Sequence, residues 1–211
     1  MTKPTKIPKA TITRLSMYYR QLEMLESDGY ATVSSEKLAR LSQANPAQVR
    51  KDLGYFGDFG VRGVGYDVIE LQAEIKRILA INRQWNLAII GVGKLGSALL
   101  HHENLAVRGF RCVAIFDNDP AKISKTSSIG LKIRDIKDLY KAVKELDIEI
   151  GIITTPPSVA QSVADMLVES QVKAILNFSP TRIRVPDCCL VDNIDFTVKL
   201  DTLTYKLHHK I

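Results

Sequence analysis

The residues best placed to do chemistry are Gly91, Val92, Gly93, Lys94, Leu95 and Gly96, the run after Ile89-Ile90, together with Asp117 about twenty positions on. Each has a separate physical job in a dinucleotide fingerprint. Gly91 permits a tight turn, Gly93 lets the backbone approach a pyrophosphate, and Gly96 lets a helix pack closely on a strand. The pyrophosphate is expected at the start of that helix, where free N–H groups and the helix dipole favour anions. Asp117 can accept from both hydroxyls of an adenosine ribose and would repel a 2′-phosphate, so NAD is expected over NADP. A GxGxxG run alone is a weak signal, and the competing reading is a domain that uses the glycines only for packing. Here an apolar strand Leu87–Ile90 precedes it, Leu95, Leu99 and Leu100 pattern a helix after it, and an acid ends the next strand.

The elements that must hold these residues alternate. Strands are predicted near 86–91, 110–116, 130–133, 148–154, 174–177 and 188–191, with helices near 94–106, 136–145 and 157–170. Apolar strands alternating with helices predict an α/β fold, a doubly wound parallel sheet of the Rossmann type. Ligands of such sheets bind at the carboxyl ends of the strands, so Thr154, Thr155, Pro156, Asn177 and Ser179 are expected to line the nicotinamide half. Ordinary strand-to-helix turn chemistry accounts for the same residues equally well.

In front of this domain lies a second plan. Ile12, Leu15, Tyr19, Leu22 and Leu25 put an apolar stripe on a helix over 11–28, which Gly29 stops. Ser34 and Ser35 offer a cap to a short helix with Leu38 and Leu41 inward, and Asn45 caps a third helix with Pro46 at its first position. Val49, Leu53 and Phe56 face inward there, leaving Gln48, Arg50, Lys51 and Tyr55 outward as DNA contacts. Next, four glycines alternate with Phe59, Val61, Val64 and Tyr66, which reads as a tight two-stranded ribbon with Arg62 near its tip. The segment is thus expected to be a winged helix-turn-helix, with an arginine placed to reach a groove or a phosphate. The predicted boundaries are 1–83 for a DNA-binding domain (helix-turn-helix 17–56, wing 57–66), 84–194 for the Rossmann domain and 195–211 for an amphipathic tail bearing Leu200, Leu203 and Leu207.

Charge agrees with this plan without proving it. Through Gly65 there are ten Lys/Arg against six Asp/Glu, which suits a phosphate-facing surface. On charge alone a solvated basic face explains it as well. No apolar run is long enough to span a membrane and no secretory leader is apparent, so a cytoplasmic protein is expected. Cys112, Cys188 and Cys189 cannot make a paired framework and have no His or Cys at metal-ligand spacing, so no metal is expected. His101, His102, His208 and His209 form no catalytic constellation, and the chain leaves no room for a substrate domain beside the sheet. The expectation is a regulator that measures its nucleotide, with no catalytic residues.

The ordered motifs Gln48-Val49-Arg50-Lys51-Asp52-Leu53, Tyr55-Phe56-Gly57, Arg62-Gly63-Val64-Gly65-Tyr66, Gly91–Gly96, Phe116-Asp117, Ile175-Leu176-Asn177-Phe178 and Asn193-Ile194-Asp195-Phe196 carry a resemblance. The chain resembles the Rex family of bacterial redox-sensing transcriptional repressors from about residue 4 to its end. The resemblance implies a homodimer that binds inverted-repeat operator DNA when NADH is low and is released when NADH binds. It also implies a C-terminal helix swapped between subunits, with Phe196 near the partner's nicotinamide. Asp195 and Arg20 are then expected to form an interdomain ion pair in one dimer state. Two readings from other classes stand beside it: an NAD(P)-dependent reductase, and a regulator that binds CoA or another nucleotide.

Overall fold

A computed structural model describes residues 7–61, 63–102 and 104–209. The chain divides into two compact units, Met1–Arg83 and Gln84–Ile211.

The first unit is built on α1 (Lys9–Ser27), α2 (Ser35–Leu41), α3 (Pro46–Gly54) and α4 (Val68–Ile78). Side chains supply the caps that start three of them. Ser34 accepts from the Lys37 amide, Asn45 from Ala47, and Asp67 from Glu70, each removing one orphan donor of a helix start. Leu15, Tyr18, Leu22 and Leu25 of α1 meet Leu38, Val49, Leu53, Leu71 and Ile75 in one core. Two sequence expectations change here. Ile12 is exposed, and its place on the buried stripe is taken by Thr11, which is held there by a hydrogen bond to Asp52. Leu41 is exposed because α2 ends at that residue.

The ribbon also differs. Strand β2 (Tyr66–Asp67) pairs antiparallel with β1 (Thr32–Val33), a partner the alternation pattern did not reveal. Among the described residues the wing closes through one bridge, Val61 to Gly65. Gly65 explains the rearrangement: it adopts φ +106°, and a Cβ there would lie 2.5 Å from the Val33 carbonyl oxygen. The glycine lets the wing's base lie against β1, which draws Tyr66 out of the ribbon and into the core.

The second unit is a six-stranded sheet in the order β5 (Ile133–Asp135), β4 (Phe110–Asp117), β3 (Trp85–Ile90), β6 (Ile150–Ile153), β7 (Ala174–Asn177), β8 (Leu190–Asn193). Every neighbouring pair is parallel. This is the doubly wound order of dinucleotide-binding sheets, with its reversal between β3 and β6. The strands are apolar on both sides because both faces are covered. Ala88, Ile90, Ala114 and Phe116 pack with α7 (Leu139–Glu145) and α8 (Pro157–Glu169), while Leu87, Ile89, Ile115 and Ile152 pack on the other face with Leu99 and Leu100.

The helix expected over 94–106 is two pieces, α5 (Lys94–Leu100) and α6 (Asn104–Val107). The amides of His101 and His102 bond back three residues, to Ala98 and Leu99, which tightens the last turn and ends α5. A 3₁₀ turn, Ile136–Asp138, replaces the first turn of the next predicted helix, and the strand expected at 130–133 forms at Ile133–Asp135. The tail is α9 (Phe196–His209), every residue of which is exposed.

Candidate functional site

At the reversal point the loops after β3, β4 and β6 surround a cleft of roughly 740 Å³. Gly91, Gly93, Leu95, Asp117, Thr154, Thr155 and Pro156 line it, as do Asn118, Asp119, Lys122, Phe178 and Pro180. The loop has little freedom. Gly91 adopts φ +99°, and a Cβ on Gly96 would lie 2.0 Å from the Gly91 carbonyl oxygen. Thr154 Oγ1 donates to that same oxygen at 2.6 Å, tying β6 to the glycine turn. Gly93 is the opposite case: nothing lies within 4 Å of where its Cβ would project. Gly96 therefore serves packing, and Gly93 leaves open space beside the backbone, which is the room a pyrophosphate requires.

Asp117 is buried and ionised. Its Oδ2 accepts from the Val92 amide at 2.8 Å and from Lys122 Nζ at 3.0 Å, and its Oδ1 accepts from the Asp119 amide at 3.0 Å. Burial works to raise its pKa, but these donors outweigh it and hold the carboxyl below its usual range. Thr155 Oγ1 and Ser179 Oγ are buried without a hydrogen-bond partner among the described residues. An unsatisfied buried hydroxyl in the Thr155 wall of a cleft is what a polar ligand would relieve. The residues present thus fit an adenine dinucleotide.

Not every sequence candidate faces this cleft. Val92 and Lys94 sit on the glycine turn and the first residue of α5 without lining it, although the Val92 amide anchors Asp117. Asn177 is fully buried, donating to the carbonyls of Ser179 and Thr181 and to Asn193 Oδ1 while accepting from the Ser179 amide. It ties the loop after β7 to β8, with both of its side-chain polar atoms engaged. Ser179 is buried outside the lining, and Phe196 is 71% exposed on α9. Asp195 accepts from the amide and hydroxyl of Thr197. Lys122 and Asp119 were missed by sequence reasoning, because nothing in residue order brings them to Asp117 until the turn after β4 folds back on it.

In the first unit, α3 presents Lys51 and Arg50 to solvent. Arg50 is already oriented, donating to Ser35 Oγ at 2.7 Å and lying 3.5 Å from Glu36. Tyr55 is half-buried, and Arg20 is exposed on α1. Arg62 lies outside the described residues. Gln48 reaches one turn along its own helix and donates to Asp52 Oδ1 at 2.8 Å.

In this unit sequence reasoning did not single out Asp52. Its carboxylate is fully buried yet receives Thr11 at 3.0 Å, Tyr18 at 2.9 Å, Gln48, and Arg14 through both Nε and Nη2, the latter at 2.7 Å. Burial opposes its charge; the bonds from Arg14, Gln48, Tyr18 and Thr11 prevail and keep its pKa low. Burial first, then the neighbouring carboxylate, pushes the Tyr18 hydroxyl upward, and the hydrogen bond to Asp52 raises Arg14. The network locks the outward-facing helix α3 to α1. Its sequence signal was an acid at the inward phase of α3, one residue before Leu53.

Residues 6–54 match the family described as "Putative DNA-binding protein N-terminus", and residues 82–181 match "CoA binding domain". The chain is 54% identical over 97% of its length to a "Redox-sensing transcriptional repressor Rex" of Syntrophobacter fumaroxidans, covering 98% of that relative. A protein of the same name from Maridesulfovibrio salexigens is 51% identical over 92% of this chain and 93% of its own. Among solved structures, RSP in complex with beta-NAD+ and operator DNA superposes with a TM-score of 0.92 at 33% identity, covering 98% of this chain and 94% of RSP. RSP in complex with beta-NADH gives 0.89 at 32% identity, over 98% and 96%.

Proposed function

Because the chain belongs to the Rex family of redox-sensing transcriptional repressors, we propose that the cleft between β3 and β6 is the sensor of the NADH/NAD ratio and that α3 with the wing is its output. The chain is a regulator rather than an enzyme. One observation carries the reading: a single chain joins a capped helix presenting Arg50 and Lys51 to a glycine turn anchored on a buried Asp117. Its full-length likeness to RSP, solved with beta-NAD+ and operator DNA, supports the pairing. The protein therefore binds operator DNA, and NADH releases it. Fluorescence anisotropy of a labelled operator across NADH:NAD+ ratios tests this; affinity that is the same at every ratio overturns it. The match of residues 82–181 to a CoA-binding family favours a second reading, CoA as the ligand. NADH displaced by CoA at comparable concentration in that assay would support it.

Arg50 and Lys51 divide the work of binding. Arg50 must exchange Ser35 for a base edge, so Arg50→Ala lowers operator affinity by about 1–2 kcal/mol, the lower part of the range for a base-reading arginine. Lys51 reaches phosphate, so Lys51→Ala reduces the slope of log affinity against log salt by about one. Gel shifts between two salt concentrations separate the two; unchanged affinity and slope in both variants remove α3 as the reader. Gln48, Tyr55 and Arg62 also contact DNA in this reading, with Gln48 first leaving Asp52.

The protein acts in the cytoplasm as a homodimer on an inverted repeat, since twofold subunits demand twofold half-sites. Its dimer element is α9. Phe196, Val198, Leu200, Leu203, Tyr205 and Leu207 are all more than half exposed, an apolar surface too large for an isolated helix to leave in water. Deleting 196–211 yields monomers by analytical ultracentrifugation and weakens operator binding; an intact dimer refutes the role. In the dimer, Phe196 meets the nicotinamide and favours the uncharged NADH ring in an apolar setting. Asp195 pairs with Arg20 in one state and releases it in the other, which is the differential contact a ligand needs to shift an equilibrium.

A further inference from the structure

Asp117 is the residue a dinucleotide fingerprint assigns to the adenosine ribose, yet its carboxylate is largely occupied. A carboxylate offers about four lone-pair positions. Two on Oδ2 are taken by Val92 N and Lys122 Nζ, and one on Oδ1 by Asp119 N. What remains is about one position, on Oδ1, which is too few for two ribose hydroxyls. The ammonium of Lys122 can engage such a hydroxyl in the other sense, by donating to its oxygen. It lies 3.0 Å from Asp117 Oδ2 and 3.9 Å from Asp119 Oδ2, lines the same cleft, and is 37% exposed, so its end can move.

We propose that Lys122 is a specificity-determining residue of this cleft: paired with Asp117 it donates to a ribose hydroxyl of NAD(H), and the same pairing withholds it from a 2′-phosphate. The inference rests on the reading of the cleft as a dinucleotide site. Selectivity against NADPH then has two parts that the acid alone does not provide. Asp117 repels the phosphate, and Asp117 also occupies the lysine that lines the same cleft. Neutralising residue 117 removes both at once and frees Lys122. Asp119 is a weak competitor for the freed ammonium, being 44% exposed and 3.9 Å away. A lysine is a good phosphate partner as a mobile point charge.

The test uses the full-length protein in four forms: wild type, Asp117→Asn, Lys122→Met and the double variant. Asparagine keeps an acceptor for the Val92 amide, and Asp117→Ser serves as a second charge-free form should it fold poorly. NADH and NADPH are each titrated by isothermal calorimetry, with circular dichroism confirming the fold. In Asp117→Asn the NADPH affinity rises by about tenfold or more, as a charge-assisted bond to phosphate requires. In the double variant that gain disappears, and Lys122→Met alone weakens NADH. Equal NADPH affinity in Asp117→Asn and the double variant overturns the role of Lys122. Wild-type protein that binds neither cofactor overturns instead the dinucleotide reading on which the inference stands.

Discussion

Asp52→Ala is expected to cost the N-terminal unit about 3–5 kcal/mol, the scale for removing one partner of a buried ion pair. The carboxylate has no exposed surface and is met by Thr11, Arg14, Tyr18 and Gln48. Its loss leaves the Thr11 and Tyr18 hydroxyls without an acceptor in a packed core, and Arg14 without its counter-charge. Urea denaturation of the full chain followed by circular dichroism measures the change in the first unit's transition; a loss below about 1 kcal/mol would show that the network is dispensable. Operator binding falls in parallel because α3 loses its tie to α1. The pH dependence has a definite sign. The folded pKa of Asp52 lies below its ordinary value. Its contribution is therefore complete above the unfolded value near 4 and is lost as pH falls through the lower folded value. Asp52→Ala flattens the acid limb of the stability profile below about pH 4.

Gly96→Ala is expected to remove about 3 kcal/mol, or more than a hundredfold, from NADH affinity, the top of the range for overpacking. The added methyl would sit 2.0 Å from the Gly91 carbonyl oxygen and 2.9 Å from Thr154 Oγ1. Backbone on one side and the Thr154 hydrogen bond on the other leave it nowhere to go, so the glycine turn must shift. Gly93→Ala is the control, because its methyl points into open space. It leaves thermal stability unchanged and weakens the ligand alone, whereas Gly96→Ala lowers both. Calorimetric titration beside a thermal melt distinguishes them. Equal loss of stability in the two variants would mean that the glycines share one role.

Much of this was readable from residue order. The glycine run, Asp117 and the apolar strands specify the parallel sheet because burial on both faces demands continuous Val, Ile and Leu. Ser34 and Asn45-Pro46 announced their helices because a cap is a local signal between neighbours in sequence. What stayed hidden is what depends on distant partners. Asp52 is an acid at an inward helix position with no visible reason to be there until Arg14 and Tyr18 are brought to it from α1. Thr11 looks polar and outward until Asp52 gives it a reason to be buried, and Ile12 is displaced as a consequence. Asn177 looked like a ligand contact because it ends a strand. Its amide fastens the following loop, and no local pattern separates those two uses. Lys122 is legible only once the turn after β4 folds back on Asp117.

The wing's base holds a further consequence, which concerns the order of events in folding. Strands β1 and β2 pair through only two residues each, Thr32 with Asp67 and Val33 with Tyr66. So short a ladder cannot form by itself, and its halves are separated by all of α2 and α3. The loop-closure entropy is offset only after those helices have packed, so the ladder joins late. Read in reverse, it opens early. Amide hydrogen exchange at Val33 and Tyr66 should therefore track the integrity of the helix-turn-helix, making the wing the first part of the reader to let go when α3 loosens.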